Sequence, residues 1–266
     1  MSTRIDLDRL QASLHTKCLG HNIFFSKVID STNDWAKELA KLGAQEGTVV
    51  IAETQTAGHG RLSREWISPK GGLWFSVILR PETNSTEAAN LMFIAGLAVA
   101  RVLHKLYGLN TEVKWPNDVL VDGKKVCGIL GETNAAYKIA SFVILGIGIN
   151  ANFDVDSALP EALRETVTSL QTMLGQKVKL EELFMALMEE IERLYGTHKA
   201  VGFPTILGEW KKYAGFLNKS VEVACANERL IGLACDVDCE GALLLKLKDG
   251  RIKRILVGDV SLPEEP

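Results

Sequence analysis

A polar, glycine-bearing segment separates two apolar runs in the first third of the chain. The runs span 48–54 and 73–79, and the segment between them reads QTAGHGRLSREW from Gln55 to Trp66. Short runs rich in β-branched and aromatic residues predict strands, so the segment is predicted to be a loop between two neighbouring strands. Glycines let a backbone approach a ligand closely, and nearby arginines can bind an anion. On these residues alone, a twisted surface hairpin with solvated arginines is the simpler interpretation.

The composition predicts a globular chain and excludes several functional classes. With 266 residues and a hydrophobic fraction of 47%, the chain can form one large domain and a small one. A net charge of −3 and a pI of about 6.0 mean that the chain lacks the excess of positive charge typical of nucleic-acid-binding proteins. No apolar run reaches the length of a membrane span, and the N-terminus lacks the apolar core of a signal peptide. We therefore expect a cytoplasmic protein without a membrane segment.

The cysteines do not indicate a metal site. There are five, they are scattered, and no histidine or cysteine pair near Cys235 and Cys239 completes a zinc site. We expect reduced, mostly buried thiols and no protein-borne metal site.

Four more short motifs accompany the loop. They are Asp30-Ser31-Thr32-Asn33 upstream and, downstream, KWPND at 114–118, KVCGIL at 125–130 and GIGIN at 146–150. In this order they resemble biotin protein ligases (biotin–[acetyl-CoA carboxylase] ligases), from about Ile29 to the C-terminus. KWPND followed by KxxGIL is the specific part of the resemblance. Some members carry an N-terminal DNA-binding domain and act as repressors. This chain resembles the monofunctional type, which has no such domain.

The resemblance implies an α+β fold of the class II synthetase/biotin ligase-like kind. We expect a mixed, largely antiparallel sheet with helices over 1–213, forming the catalytic domain. From 214 onward, short strands alternate with turn residues and predict a small β-module over 214–266. The resemblance identifies this module as an SH3-like barrel. The pattern predicts strands at 23–28, 119–121, 125–130 and 139–149, and helices after Ser31, at 86–107 and at 180–195.

The implied reaction has two steps. The carboxylate of biotin attacks the α-phosphate of ATP to give biotinyl-5′-AMP and pyrophosphate. A lysine of a biotin-carrier domain, of the acetyl-CoA carboxylase type, then attacks the anhydride and releases AMP. Mg²⁺ is expected on the β- and γ-phosphates.

Residues from three parts of the sequence are expected to bind biotin. A short polar turn suits the two N–H donors and the carbonyl of the ureido ring, although helix capping alone also explains Ser31. Gly128 is expected against the biotin chain. The biotin-binding residues implied by the resemblance are Ser31, Thr32, Asn33, Gln55, Gly58, His59, Gly60, Arg61, Lys125 and Gly128.

Nucleotide binding and catalysis are assigned in the same way. Arg61 and Lys125 are the candidates for offsetting charge at the reacting phosphate, and Asp118 for orienting the incoming lysine and accepting its proton. The nucleotide-binding residues implied are His59, Arg61, Trp66, Lys114, Asn117, Lys125 and Asn150. Simpler interpretations are an exposed hairpin lysine for Lys125, a turn residue for Asn117, a strand-end cap for Asn150, a core residue for Trp66 and a structural aspartate for Asp118.

The sequence departs from the family at one position and leaves alternatives open. The family's loop reads GRGR, whereas here it reads GHGR, with His59 in the first arginine position. An imidazole is shorter and less fully charged, and Arg64 could compensate. The loop at 55–66 and the segment at 151–160 are candidate lids. Alternatives are a lipoate or octanoate ligase of related fold and a non-catalytic regulator that binds biotin adenylate. The resemblance also implies a possible homodimer through the sheet edge.

Overall fold

The computed structural model describes residues 10–11, 13–81, 90–133, 142–225 and 228–262. A seven-stranded sheet dominates the part of the chain before residue 150. Its strands are β1 (Ile23–Ile29), β2 (Val49–Gln55), β3 (Leu73–Leu79), β4 (Thr111–Lys114), β5 (Asp118–Val121), β6 (Lys124–Thr133) and β7 (Val143–Ile149).

The large sheet is mixed but mainly antiparallel. Its order is β1-β2-β3-β7-β6-β5-β4, and only β1 and β2 pair in parallel. Strands β5 and β6 form the expected hairpin, in which Asp122 and Gly123 both have positive φ, at 47° and 77°. Two successive left-handed residues match the twist of a hairpin, and this favours aspartate followed by glycine. The expected fold class is confirmed.

Helices cover both faces of this sheet. Their bounds are α1 (Thr32–Lys41), α2 (Asn90–Tyr107), α3 (Val155–Ala158), α4 (Glu161–Arg164), α5 (Leu170–Leu174), α6 (Leu180–Val201) and α7 (Phe203–Lys211). Helices α2, α6 and α7 bury one face against side chains such as Ile51, Phe75 and Val77. Helix α1 packs on the other face, against Val50 and Ile78. Alternate residues of a strand point to opposite faces, so each strand contributes to both cores.

A five-stranded antiparallel sheet forms the C-terminal module. Its strands are β8 (Ser220–Ala224), β9 (Arg229–Val237), β10 (Leu243–Leu247), β11 (Ile252–Ile255) and β12 (Asp259–Ser261), in the order β11-β10-β9-β8-β12. The module contacts the large sheet through Trp115, whose indole Nε1 donates to the carbonyl oxygen of Gly241 at 2.9 Å. Its apolar interior is continuous with the core on the α2 side of the large sheet.

Most expected elements are found within a few residues of their predicted bounds. Strand β3 matches the run at 73–79, and α1 starts after Ser31, whose hydroxyl accepts from the backbone N–H of Asp34 at 3.3 Å. The predicted N-terminal parts of the helix at 86–107 and of the strand at 139–149 lie outside the described residues. Strands β4 and β12 and helices α3, α4, α5 and α7 were not predicted. The domain boundary between residues 213 and 214 stays a prediction.

One expectation about the cysteines is wrong. All five are free, but only Cys127 is buried, whereas Cys239 is exposed and the other three are intermediate. Cys127 lies on β6 inside the large sheet, where burial raises the pKa of its thiol. Across the described residues, no helix is both long and apolar enough to cross a membrane.

Candidate functional site

Small residues lie side by side on the α1 face of the large sheet. Ser76 on β3 faces Gly146 on β7, and Gly148 on β7 faces Gly128 on β6. A Cβ at Gly146 would collide with Oδ1 of Asn33, and one at Gly148 would lie 2.7 Å from the indole nitrogen of Trp66. The glycines Gly128, Gly146 and Gly148, which we call the glycine floor, therefore let other side chains approach the sheet backbone.

A cavity of about 320 Å³ lies over this floor. It brings together parts of the chain that are far apart in sequence, and nearly every predicted site residue lines it. These are Ser31, Thr32, Asn33, Gln55, His59, Gly60, Arg61, Trp66, Lys114, Asn117, Asp118, Lys125, Gly128 and Asn150. The exception is Gly58, which is buried behind the wall, where a Cβ would lie 2.5 Å from the backbone oxygen of Trp66.

The side of the cavity toward β2 and β3 is a hydrogen-bonded polar cluster. The backbone N–H and the hydroxyl of Thr32 donate to Oε1 of Gln55, at 2.7 and 3.0 Å. The hydroxyl of Ser76 donates to Oδ1 of Asn33 at 2.6 Å and lies 2.8 Å from the hydroxyl of Thr32. Thr32, Asn33 and Ser76 are buried, so this cluster is fixed before any ligand arrives.

Glu132 on β6 connects this cluster to the loop. The amide nitrogen of Asn33 donates to Oε2 of Glu132 at 2.7 Å, and Nε2 of His59 lies 3.5 Å from the same oxygen. Lys37 on α1 is 3.7 Å from the other carboxylate oxygen. The imidazole that replaces the family's arginine is thus held beside an acid.

The side toward β5 and β6 carries lysines around one carboxylate. Nζ of Lys125 is 2.7 Å from Oδ1 of Asp118, and Nζ of Lys114 is 3.7 Å from Oδ2. Nζ of Lys125 also lies 5.0 Å from the centroid of the Trp66 ring, a cation–π distance. Lys125 is therefore fixed at the cavity wall rather than solvated on the hairpin surface.

Arg61 is held by the C-terminal module. Its Nη1 donates to Oδ1 of Asn117, to the backbone oxygen of Gly258 and to Oδ1 of Asp259, each at 3.2 Å. Nη2 of Arg64 lies 2.6 Å from the other oxygen of Asp259. Burial lowers the pKa of Arg61, and the neighbouring carboxylate of Asp259 opposes that change. A guanidinium stays protonated in proteins, so the cavity keeps this charge.

The two asparagines expected to bind the nucleotide already have partners in the protein. The amide of Asn117 accepts from Arg61 and donates to the backbone oxygen of Ile129 at 2.7 Å. The amide nitrogen of Asn150 donates to the backbone oxygen of Thr168 at 3.0 Å. Both residues line the cavity. Their contact with the nucleotide stays a prediction.

The loop itself is strained between its arginines. Leu62 and Ser63 both have φ of 55°, in the left-handed region. That conformation costs a non-glycine residue about 1 kcal/mol or more. The backbone N–H of Gly60 donates to the oxygen of Arg64 at 2.7 Å, which closes the turn.

The segment after β7 forms the roof of the cavity. Leu159, Leu163, Thr166 and Val167 face the interior from around α3 and α4. The backbone of Lys125 fixes this segment, donating to Thr166 at 2.8 Å and accepting from Thr168 at 2.9 Å. The predicted lid at 151–160 therefore contributes Leu159, but more of the roof comes from residues beyond it.

Several cavity residues had not been assigned a role from the sequence. Gly146 and Gly148 lie in the GIGIN motif, in which the resemblance assigns a role only to Asn150. Asp259 and Leu163 carried no sequence signal, because a lone aspartate or leucine far along the chain is common. Strand pairing and module docking bring them to the site.

Comparison with known proteins places this chain in a family. The profile of the biotin/lipoate A/B protein ligase family matches residues 25–150, and that of the biotin protein ligase C terminal domain matches residues 216–262. The bifunctional ligase/repressor BirA of Bacillus spizizenii is 36% identical over 260 residues, covering 97% of this chain and 79% of that protein. The biotin--[acetyl-CoA-carboxylase] ligase of Paracoccus denitrificans is 34% identical over 224 residues, covering 84% of this chain and 93% of that protein.

A solved structure agrees with these relatives. The biotin protein ligase from Aquifex aeolicus in complex with biotin and ATP superposes with a TM-score of 0.78 and 30% identity, covering 92% of this chain and 99% of that one. Together with the relatives, this extends the likeness over both sheets. The chain therefore belongs to the biotin protein ligases of the biotin/lipoate A/B protein ligase family.

Proposed function

We propose that this chain is an ATP-dependent ligase that activates biotin as biotinyl-5′-AMP and transfers it to a lysine of a biotin-carrier domain. One observation carries the proposal. A single cavity joins a fixed polar cluster, formed by Thr32, Asn33 and Gln55, to a cationic wall formed by Lys125 and Arg61. A neutral ureido ring suits the first part, and phosphates suit the second.

In the first step, a carboxylate oxygen of biotin bonds to the α-phosphorus of ATP. The bond from that phosphorus to the β-phosphate oxygen breaks, and pyrophosphate leaves. Two anions must meet, so fixed positive charge lowers the barrier most where negative charge develops. Lys125 is suited to this role because Asp118 and the ring of Trp66 hold its ammonium at the wall. Arg61 can fork onto phosphate oxygens once it leaves Asp259.

In the second step, the acceptor amine attacks the carbonyl carbon of the anhydride. An amide bond forms, and AMP leaves with the electrons of the broken carbon–oxygen bond. The attacking amine must be neutral, whereas a free lysine has a pKa of about 10.4. We infer that Asp118 orients the incoming ammonium and accepts its proton, because its carboxylate lines the cavity.

Water must be kept from the anhydride between the two steps. We infer that the loop at 55–66 and the roof segment close over it, since both line the cavity. Trp66 already packs against Gly128 and Gly148. Its ring is suited to covering the adenylate.

Four finer features belong to the same proposal. Mg²⁺ would be carried by the nucleotide's own phosphates. The acceptor would be a biotin-carrier domain of the acetyl-CoA carboxylase type, as the printed name of the Paracoccus relative suggests. Free thiols fit a cytoplasmic location. Strand β1 at the edge of the large sheet is available for a homodimer, and sedimentation would test that assembly.

Pyrophosphate exchange into ATP tests the activity. Exchange should depend on biotin and not on lipoate, and a carrier domain added afterwards should gain biotin. Lys125→Met should lower the exchange rate about 100-fold, because a fixed charge at the reacting phosphate is lost. The neighbouring exposed Lys124→Met is the matched control and should exchange normally.

Each failure has a separate meaning. If only lipoate supports exchange, the acid substrate is lipoate and not biotin. Adenylate formation without transfer to any carrier would favour the alternative of a regulator that binds biotin adenylate. An equal loss of exchange rate in Lys125→Met and Lys124→Met would show that Lys125 does not have its proposed role.

A further inference from the structure

Glu132 is the point at which the loop and the polar cluster meet. Its side chain is about three-quarters buried, with 24% exposed, on β6, and it does not itself line the cavity. One carboxylate oxygen, Oε2, accepts from the amide nitrogen of Asn33 at 2.7 Å and lies 3.5 Å from Nε2 of His59. A single oxygen atom therefore faces one residue from α1 and one from the loop.

The contact with Asn33 fixes the direction of that amide. Oδ1 of Asn33 accepts the hydroxyl proton of Ser76 at 2.6 Å, and its nitrogen donates to Glu132. With both ends engaged, the amide cannot flip without losing a hydrogen bond. Because Asn33 also packs against Gly146 of the glycine floor, its position determines the shape of the cavity there.

The contact with His59 fixes the loop. His59 lines the cavity, and its backbone forms an antiparallel β-bridge with that of Glu65 across the loop. The imidazole therefore moves with the loop backbone. Lys37 shares the carboxylate from a greater distance, 3.7 Å, and about a third of its side chain is exposed. Of these two partners only His59 belongs to the loop, so it is through His59 that a change in the position of the loop can reach Glu132.

We propose that Glu132 is a positioning residue that couples closure of the loop to the orientation of Asn33, and so sets the affinity for biotin. This inference rests on the proposed function, because it takes the polar cluster as the biotin side of the cavity. It also gives the histidine of this chain's GHGR loop a role. The imidazole holds the loop next to Glu132, in addition to any contact that His59 makes with the ligand.

A double-mutant cycle tests the coupling. Glu132→Gln keeps the length of the side chain and an acceptor for Asn33, but removes the charge that faces His59. His59→Gln removes the imidazole. Each variant should weaken biotin binding, measured by titration calorimetry, by about fivefold, the size of one partly exposed polar contact. The double variant should be little weaker than either single one, because both remove the same interaction.

Two controls separate positioning from general damage. Glu53→Gln removes an equivalent charge from β2, where Glu53 is 3.2 Å from Lys70 and its side chain is similarly exposed at 26%. It should leave biotin affinity unchanged. Lys37→Met should change it less than twofold, since Lys37 is the more distant partner. ATP affinity and the thermal midpoint should be the same in Glu132→Gln, Glu53→Gln and Lys37→Met as in the wild-type protein, which a merely structural role would not predict.

The outcomes decide the two proposals separately. If wild-type protein binds biotin and catalyses exchange, but Glu132→Gln binds biotin equally well, the function stands and the coupling is wrong. Effects of the two single variants that multiply in the double variant would also overturn the coupling. Biotin binding with the predicted cycle but without exchange would keep the coupling and overturn the ligase. Absence of biotin binding in the wild-type protein would overturn both.

Discussion

Asp118 binds two lysines at once, and this determines which steps of the reaction it can influence. Its carboxylate is 2.7 Å from Lys125 and 3.7 Å from Lys114. In the proposed mechanism, an aspartate so engaged positions the charge used in adenylate formation and also lies where the acceptor lysine would arrive. Sequence reasoning assigned it only to the second step, since the pairing with Lys125 depends on the register of β5 with β6.

Asp118→Asn should therefore impair both steps. We expect pyrophosphate exchange to fall about tenfold, because Lys125 loses its charged partner. Transfer from purified biotinyl-5′-AMP to a carrier domain should fall about 100-fold, in the range of a lost general base. Single-turnover transfer and pyrophosphate exchange, measured on the same preparation, give the fold-changes of the two rates. Normal transfer alongside reduced exchange would leave Asp118 as a partner of Lys125 only.

The side chains at the site were predictable to different degrees. Residues inside short motifs, such as Asn33 and Lys125, could be assigned because their neighbours carry the resemblance. Glu132 and Asp259 could not, because acidic residues are common on surfaces and nothing local marks them. Their positions depend on contacts across the fold, with His59 in one case and Arg61 in the other.

At the scale of elements, secondary structure could be predicted from the sequence where local chemistry and tertiary packing favour the same conformation. The hairpin at Asp122-Gly123 and strand β3 are examples, because turn chemistry and an unbroken apolar run specify them. Strand β12 is only three residues long and is stabilised by pairing with β8, which no local signal reveals. In α7, an early proline and Gly208 obscured a helix whose apolar side packs against α2.

Helix α6 anchors the segment before β1 through one carboxylate. Glu192 accepts the backbone N–H groups of Lys17, Cys18 and Leu19 at 2.7, 2.7 and 3.0 Å. Burial alone would raise the pKa of Glu192, but these three donors outweigh it and hold the pKa below its usual value. A carboxylate with a lowered folded-state pKa stabilises the fold above its unfolded pKa, and that contribution is lost as the pH falls.

Glu192→Gln should lower the free energy of unfolding at pH 7 by about 1 kcal/mol, as expected for partly exposed charged hydrogen bonds. The difference from wild type should shrink as the pH falls below about 4, where the wild-type carboxylate takes up a proton. Urea denaturation at both pH values measures it. Glu189→Gln, an exposed change on the same helix, is the control. A difference that does not vary with pH would contradict the assigned cause.

At the scale of the whole molecule, the two sheets share one apolar core. The cluster around α2 runs from Val49 on β2 to Val260 on β12 without interruption. Trp115 adds its hydrogen bond to Gly241, and Arg61 adds its contacts with Gly258 and Asp259. The cavity wall therefore depends on the C-terminal module being docked, although separate family profiles match the two parts.

Calorimetry should therefore show one cooperative unfolding transition rather than two. Trp115→Phe should lower its midpoint while keeping it single. The substitution leaves the partly buried carbonyl of Gly241 without its indole donor, at a cost of about 1 kcal/mol. Trp35→Phe, at a half-buried position on α1, is the matched control and should have a smaller effect. Two resolved transitions would show that the modules fold independently.

The glycine floor determines where the specificity of this cavity can be re-engineered. Gly128, Gly146 and Gly148 already lack side chains, so no substitution can deepen the cavity beneath a ligand. An added methyl group there would collide with Asn33 or Trp66. Room for a bulkier analogue of the acid can come from shortening residues of the roof, such as Leu159 and Leu163. Variant libraries aimed at altered substrates should therefore diversify the roof and leave the floor unchanged.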